Sequence, residues 1–277
     1  MQSPLSYEQK RAVVVGCFSG MGEATARIVG ELGAEIVAVD IKKPKLAHAD
    51  FFEVDCRDPG AIDSAVVEIA QAGPIDALFY CAGLPGGSFS NVDVMSVNFL
   101  GQRHFVEACV PHMKRGDGVA SISSAAGMAY MMALERVKEL LALTDHAEAL
   151  AWVKEADAAG NLEGYSFSKM CTIVYVLHRG PLLTRETGIR FNCISPGPTD
   201  TPMMPHFEEQ VGKTFMDNFP KPIGRNSSAD EQAWPLAFLN SPAASYISGE
   251  NIFTDGGCAG GIMTGSIDLS KMMPSEG

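Results

Sequence analysis

Tyr165 and Lys169 stand four residues apart in YSFSK, a spacing that puts both side chains on one face of a helix. An ammonium beside a phenol favours the phenolate over the free pKa of about 10 and moves the group toward acid–base work near neutrality. Such pairs are common in helices that do no chemistry, so this one takes its meaning from its company. Gly16, Gly20 and Gly22 in GCFSGMG follow a short β-branched run and open a helix-like segment. Glycine there permits a tight turn and close approach of backbone amides to a pyrophosphate, although a plain strand-to-helix turn would look the same. The spacing is GxxxGxG, not the GxGxxG of the ordinary dinucleotide fingerprint. Asp40 ends the next apolar run, near the distance of about 20 residues at which a carboxylate meets an adenosine ribose. It would repel a 2′-phosphate and so favours NAD over NADP, while Lys42 and Lys43 read as solvated charges. His206 and Cys171 could also be offered as reactive groups, but they read better as a loop residue and a small buried side chain.

These residues need elements to position them. Short apolar runs alternate with helix-like segments, the signature of a parallel sheet covered on both faces by helices. Strands are expected at residues 11–15, 35–39, 51–54, 77–80, 119–122, 189–194 and 251–254. The fold class is therefore α/β, a Rossmann-like doubly wound parallel sheet of seven strands. Helices are expected at 22–32, 60–72 and 95–113. Within residues 129–161, Leu134, Val137 and Leu141, then Ala147, Leu150 and Val153, recur at helical spacing. That predicts a helical insert of two short amphipathic helices, which either packs on the rim, covers the substrate or sets subunit contacts. Residues 199–228, rich in Pro, Met and Phe, read as a mobile covering loop, and 258–277 as a tail. One continuous βα pattern over 1–277, with no linker or repeat, predicts a single domain.

Composition narrows the function. The formal net charge is −12, with 21 Lys and Arg against 33 Asp and Glu, which disfavours a surface built to neutralise phosphates; no nucleic-acid partner is expected. Cysteines 17, 56, 81, 109, 171, 193 and 258 form no CxxC pair and are odd in number. Neither a disulfide framework nor a zinc site is suggested, and no metal is expected. MQSPLSYEQKR lacks a basic region followed by an apolar core, and no run approaches the roughly 20 apolar residues of a membrane span. A cytoplasmic protein without a membrane partner is expected.

In this order the motifs resemble the short-chain dehydrogenase/reductase family from Arg11 to about Gly257. They are GCFSGMG, Asp40, Asp55, CAG at 81–83, Asn98 in SVNFLG, SISS at 121–124, YSFSK, SPGPTDTP at 195–202 and SGENIFTDGG at 248–257. The resemblance implies a catalytic set of Asn98, Ser124, Tyr165 and Lys169. Tyr165 would exchange a proton with the substrate oxygen as hydride moves to or from the nicotinamide. Ser124, for which Ser123 is the competitor, would hold that oxygen; Lys169 would lower the phenol pKa and bind the nicotinamide ribose; Asn98 would hold a water linking Lys169 to solvent. The implied contacts to NAD fall at Gly16, Ser19, Gly20, Met21, Gly22, Asp40, Ile41, Asp55, Cys56, Cys81, Ala82, Gly83, Tyr165, Lys169, Pro196, Gly197, Thr199 and Thr201.

Three departures stand out. Val15 replaces a common threonine, Tyr80-Cys81 replaces two asparagines, and the stretch between Ser124 and Tyr165 is far longer than usual. The long gap and the CAG triplet are similar to the subgroup containing bacterial 3α-hydroxysteroid dehydrogenase/carbonyl reductase and coniferyl-alcohol dehydrogenase. An apolar pocket is expected around Leu84, Ser124, Tyr130, Met203, Met204 and Phe207, supported by Pro85, Met128, Met131, Phe215 and Met216. The expected substrate is a small hydrophobic alcohol (cyclic, terpene, aryl or steroid; secondary, allylic or benzylic) or its ketone or aldehyde. The family also implies a homo-oligomer, dimer or tetramer. The alternative from another class is a non-catalytic NAD-binding regulatory or scaffold protein on the same fold.

Overall fold

The computed structural model describes residues 3–268. Strand β1 (Arg11–Val15) is buried at all five positions, as its β-branched run requires of a strand covered on both faces. Helix α1 (Gly20–Glu31), β2 (Glu35–Asp40), β3 (Asp50–Glu53), α2 (Pro59–Ala72) and β4 (Ala77–Tyr80) follow. The Asp58 carboxylate caps α2 by accepting from the Gly60 and Ala61 amides, and Pro59 fits the first helical turn. Next come α3 (Asn91–Met95), a π-helical turn (Ser96–Gly101) and α4 (Gln102–Cys109). Strand β5 (Gly118–Ile122) leads through two short 3₁₀ turns into α5 (Leu134–Ala142), α6 (His146–Ala158) and the long α7 (Gly164–Thr187). After β6 (Arg190–Pro196) lie β7 (Thr199–Asp200), α8 (Met204–Val211), α9 (Lys213–Asn218) and β8 (Ser227–Ser228), then α10 (Ala229–Asn240), β9 (Asn251–Thr254) and α11 (Cys258–Thr264).

The seven-stranded sheet runs β3-β2-β1-β4-β5-β6-β9 and every pairing is parallel. Chain direction across the sheet reverses between β1 and β4, which opens a crevice at their carboxyl ends where open α/β sheets bind ligands. Alternate residues of β1 feed two cores. Val13 and Val15 pack with Ile62, Phe105 and Ile173 on one face, and Ala12 and Val14 with Ala24, Ile28 and Leu236 on the other.

Three local expectations differ from the structure. The helix expected at 95–113 is interrupted by the π-turn, because one residue too many lies between α3 and α4 for a continuous α ladder. Residues 199–228 carry the paired strands β7 and β8 and two helices. At eight and six residues, with Pro205 in the first turn of α8, those helices are too short to show a repeating apolar stripe. In the insert the two helices form as α5 and α6, but Leu140 and Ala149 are buried whereas Ala147 is exposed. Val137, Leu140, Ala149 and Val153 are fully buried in the same core as the sheet. The Arg136 guanidinium lies over the rings of Trp152 and Phe167, at 5.3 and 4.8 Å from their centroids. The insert is thus part of the body, not an appendage of the rim. The expected tail holds α11; its last residues, 269–277, lie outside the described ones. Among the described residues no helix is long and apolar enough to cross a membrane.

Candidate active site

The turn from β1 into α1 fits because of two glycines. Gly16 has φ +82°, and a Cβ there would lie 2.4 Å from the Ala82 amide nitrogen; a Cβ on Gly22 would lie 2.0 Å from the Gly16 carbonyl oxygen. Only bare backbone permits β1, β4 and α1 to converge this closely. Asp40, at the end of β2, accepts from the Phe18 amide at 2.9 Å and the Lys42 amide at 3.1 Å. Its carboxylate therefore braces the turn and sits on the rim of the space in front of it.

That space is a groove of about 320 Å³. It collects Gly16, Ser19, Gly20, Met21, Gly22, Asp40, Ile41, Asp55, Cys56, Cys81, Ala82, Gly83 and Thr201 from the expected cofactor set, with Leu84 and Met203 from the expected substrate set. Phe18, Val54, Arg57, Phe89, Val97 and Pro202 line it as well, and sequence reasoning missed them; Lys42, read from sequence as a solvated charge, also lines it. Two signals were available. Phe18 lies inside the glycine turn, with Lys42 Nζ 5.5 Å from its ring centroid. Arg57 follows Asp55 by two residues and pairs with it at 2.6 Å and with Asp93 at 3.0 Å. The hydrogen bond from Arg57 holds the Asp55 carboxyl below the usual carboxylate range. Tyr165, Lys169, Pro196, Gly197 and Thr199, also expected to contact the cofactor, are not among the residues that line the groove. Gly197 faces a separate cavity beside Lys221 and Arg225, and Thr199 is buried with its hydroxyl on the Gly197 carbonyl and Ser227. Thr199 pairs with Ser227 where β7 meets β8.

Behind Gly83 of the groove stand Asn98 and Lys169: a Cβ on Gly83 would lie 3.5 Å from Asn98 Oδ1 and 3.8 Å from Lys169 Nζ. Asn98 lies within the π-turn, 2% exposed. Its Oδ1 accepts from the Leu84 amide at 2.7 Å, and its Nδ2 donates to the Leu84 carbonyl at 3.1 Å and to Ser168 Oγ at 3.2 Å. Tyr80, one of the departures from the family pattern, donates its hydroxyl to the Val97 carbonyl at 2.7 Å and so pins the same turn. The two serines after β5 separate cleanly: Ser123 is buried and donates to the Lys169 carbonyl at 2.8 Å, whereas Ser124 is half-buried, accepts from the Ala126 amide at 3.1 Å and stands beside the Tyr165 phenol, whose pKa it lowers. Lys169 Nζ donates to the Ile122 carbonyl at 3.1 Å and lies 5.6 Å from the centroid of the Tyr165 ring. Burial pushes the Tyr165 phenol up to about 12, against the pull of Ser124 the other way, and lowers the Lys169 ammonium to about 8. Desolvation of the phenol outweighs the Ser124 hydroxyl, contrary to the depressed pKa expected from spacing. A phenol held protonated next to an orienting hydroxyl can hand a proton to an oxygen placed between them.

Helix α8 covers this corner. The Phe207 ring meets Tyr165 edge-on with centroids 5.0 Å apart, and His206 Nδ1 lies 3.0 Å from Ser88 Oγ in the loop after β4. Of the other expected pocket residues, Tyr130 is half-buried against the core, Met204 begins α8, Phe215 packs on Phe219, and Met131 is 63% exposed and turned to solvent.

The groove fits an elongated dinucleotide: glycine amides at the start of α1 can meet a pyrophosphate, a carboxylate stands on the rim, and apolar walls include Phe18 and Ile41, 41% and 56% exposed. Comparisons with known proteins agree with the site. The short chain dehydrogenase family model matches residues 10–135, and the enoyl-(acyl carrier protein) reductase model matches residues 149–259. The two matches part within the insert. Coniferyl-alcohol dehydrogenase of Pseudomonas sp. (strain HR199 / DSM 7063) is 32% identical over 250 residues, covering 90% of this chain and 96% of that protein. The 3-alpha-hydroxysteroid dehydrogenase/carbonyl reductase of Comamonas testosteroni is 33% identical over 253 residues, covering 88% and 95%. Among solved structures, the 3-alpha-hydroxysteroid dehydrogenase from Pseudomonas sp. B-0831, complexed with NADH, aligns with a TM-score of 0.79 at 23% identity, covering 94% of this chain and all of that one. A short chain dehydrogenase from Burkholderia cenocepacia, in complex with NADP, aligns at 0.68 and 23%. With relatives above 30% identity along nearly its whole length, the chain belongs to the short-chain dehydrogenase/reductase family and is an oxidoreductase related to alcohol and hydroxysteroid dehydrogenases.

Proposed function

We propose that the protein is an NAD-dependent dehydrogenase that interconverts a hydrophobic alcohol (cyclic, terpene, aryl or steroid) and its carbonyl. The observation that carries this reading is the closeness of Tyr165 and Lys169 to each other and of Lys169 to Gly83, a residue of the glycine-lined groove. Bound in that groove, the nicotinamide supplies or accepts hydride at C4. Gly16, Gly20 and Gly22 would hold the pyrophosphate, Asp40 the adenosine ribose, and Lys169 the nicotinamide ribose. Ser124 orients the substrate oxygen and donates to it as negative charge develops. Tyr165 gives that oxygen its proton in reduction and takes it in oxidation, and Lys169 supports the phenolate that remains. Asn98, fixed to Leu84 and Ser168, keeps the π-turn open behind Lys169, where a water can pass protons to solvent. Leu84, Met203 and Phe207 supply an apolar environment for the substrate, in accord with the names of the relatives.

Turnover with a panel of terpene, steroid and aryl alcohols, followed by NADH absorbance, tests the reading; NADH binding without turnover on any of them would move weight to a non-catalytic role. The pH response is also fixed. Tyr165 is protonated at neutrality and must lose its proton to act as base beside a charged Lys169, so oxidation is expected to gain rate from about pH 7 and to level off above about pH 8, where the lysine discharges. Reduction needs the protonated phenol beside a charged lysine and is expected to decline above about pH 8, where Lys169 discharges. Paired profiles of kcat/KM check this, and an oxidation rate that falls between about pH 7 and about pH 8 would refute the role of Tyr165.

NAD preference rests on Asp40. A carboxylate about 5 Å from a 2′-phosphate costs roughly 3 kcal/mol at an effective dielectric of about 20, about a hundredfold in affinity. Solvent at the rim reduces that. Asp40→Ala is therefore expected to narrow the NADH-over-NADPH preference by at least about tenfold, with Lys42 left free to meet the phosphate. Fluorescence titration with both nucleotides measures it, and wild-type protein binding NADPH more tightly would overturn the assignment.

A further inference from the structure

Asn91 stands at the first position of α3, against the start of α7, and its carboxamide is fully engaged. Nδ2 donates to the Asp157 carboxylate at 2.8 Å and to the Leu162 carbonyl at 3.1 Å, and Oδ1 accepts from the Gly164 amide at 3.2 Å. One side chain thus joins the last turn of α6, the connection out of the insert and the first residue of α7. The contact leaves no slack, since a Cβ on Gly164 would lie 2.8 Å from the Asn91 Cα.

Helix α7 needs this partner. Its N-cap residue, Glu163, makes no side-chain capping bond, and its first residue is glycine, which orders at a high entropic cost. A first turn of that composition frays on its own. Tyr165 is the second residue of that turn. Asn91 supplies from a neighbouring element the acceptor that a local cap would give, and Asn98, further along the same segment, bonds Ser168 one turn later. The Ser168 hydroxyl in turn donates to the Tyr165 carbonyl at 2.7 Å. The stretch of α7 bearing the phenol is held at both ends by asparagines from one continuous piece of chain.

We infer that Asn91 is a positioning residue for Tyr165, and that the insert acts on the chemistry through the Asp157–Asn91–Gly164 bonds. The inference rests on Tyr165 being the proton-exchanging group. Four variants test it: Asn91→Ala, Asp157→Ala, Asn91→Asp, and Asn91→Asp combined with Asp157→Asn. In Asn91→Ala, amide hydrogen exchange over residues 164–168 is expected to quicken about tenfold or more while α10 and the glycine turn are unchanged. The same variant is expected to lose about tenfold to a hundredfold in kcat, with KM for the alcohol and NADH affinity within about twofold. Asp157→Ala should show a smaller loss of the same kind. Asn91→Asp alone sets two carboxylates face to face and should lose as much as alanine. Adding Asp157→Asn returns a donor to the pair, though not to the Leu162 carbonyl, and should recover part of kcat.

Unchanged exchange and unchanged kcat in Asn91→Ala would overturn the inference, as would a uniform fall in kcat, NADH affinity and thermal stability that the paired exchange does not repair. Hydrogen exchange reads the clamp in the protein without substrate. If no alcohol or carbonyl is turned over by wild-type protein, the functional reading fails while exchange still decides whether Asn91 orders the turn that bears Tyr165.

Discussion

Replacing Tyr165 by phenylalanine is expected to lower kcat by about three orders of magnitude in both directions, while NADH affinity stays within about twofold. The substitution removes one oxygen and little else. The ring keeps its edge-on contact with Phe207 and its place near Lys169, whose ammonium remains anchored on the Ile122 carbonyl. Fold and cofactor groove are therefore preserved, and the loss reports the proton path alone. Single-turnover absorbance with NADH and a reactive carbonyl, beside an NADH titration, separates the two quantities. Retention of more than about a tenth of wild-type kcat would mean that another group, Ser124 or a water, exchanges the proton.

Substituting alanine for Gly22 is expected to be the most damaging single methyl in the groove. The added Cβ would lie 2.0 Å from the Gly16 carbonyl oxygen and 3.0 Å from the Cys81 Cβ. The first of these is backbone and cannot rotate away, so α1 must shift from β1 or the turn must open. Either response displaces the amides that would meet the pyrophosphate. A cost of about 3 kcal/mol corresponds to a fall of roughly 6 to 12 °C in Tm for a chain of this size. NADH affinity is expected to fall by more than about a hundredfold. Differential scanning fluorimetry with and without NADH reads both effects. A variant with wild-type Tm and wild-type affinity would show that the turn does not hold the cofactor.

The strands of the sheet were legible to within about two residues because each is a short apolar run bounded by a turn signal, and burial on both faces leaves a continuous pattern. The placement of Tyr165 beside Lys169 and of the glycines at the start of α1 was legible where motif order constrained it. Other features depend on partners far apart in the chain. Nothing near Asn91 announces that it meets Asp157, Leu162 and Gly164, because the 66 to 73 positions between them carry no periodic relation. The π-turn was hidden because SVNFLG has a normal helical composition, and its irregularity follows from packing against Tyr80 and α7. Helix α8 was hidden by Pro202 and Pro205, which mark loops in sequence yet here introduce a helix. The neutral phenol of Tyr165 was missed because a four-residue spacing says how near the lysine lies and nothing about how dry the site is.

The π-turn at Ser96–Gly101 also limits how the gene can vary. It is one extra residue lodged in what would otherwise be a continuous helix, and losing it would restore the i→i+4 ladder and improve local hydrogen bonding. Because the wide turn itself takes up the extra residue, α3 and α4 keep their facing after such a deletion, and buried Phe105, Val106 and Cys109 stay in the core. The change falls on the turn, where Asn98 would lose its place against Leu84 and Ser168. Single-codon deletions in this segment should therefore leave a folded protein with an impaired site, because the irregular turn serves the placement of Asn98 and not the stability of the helix.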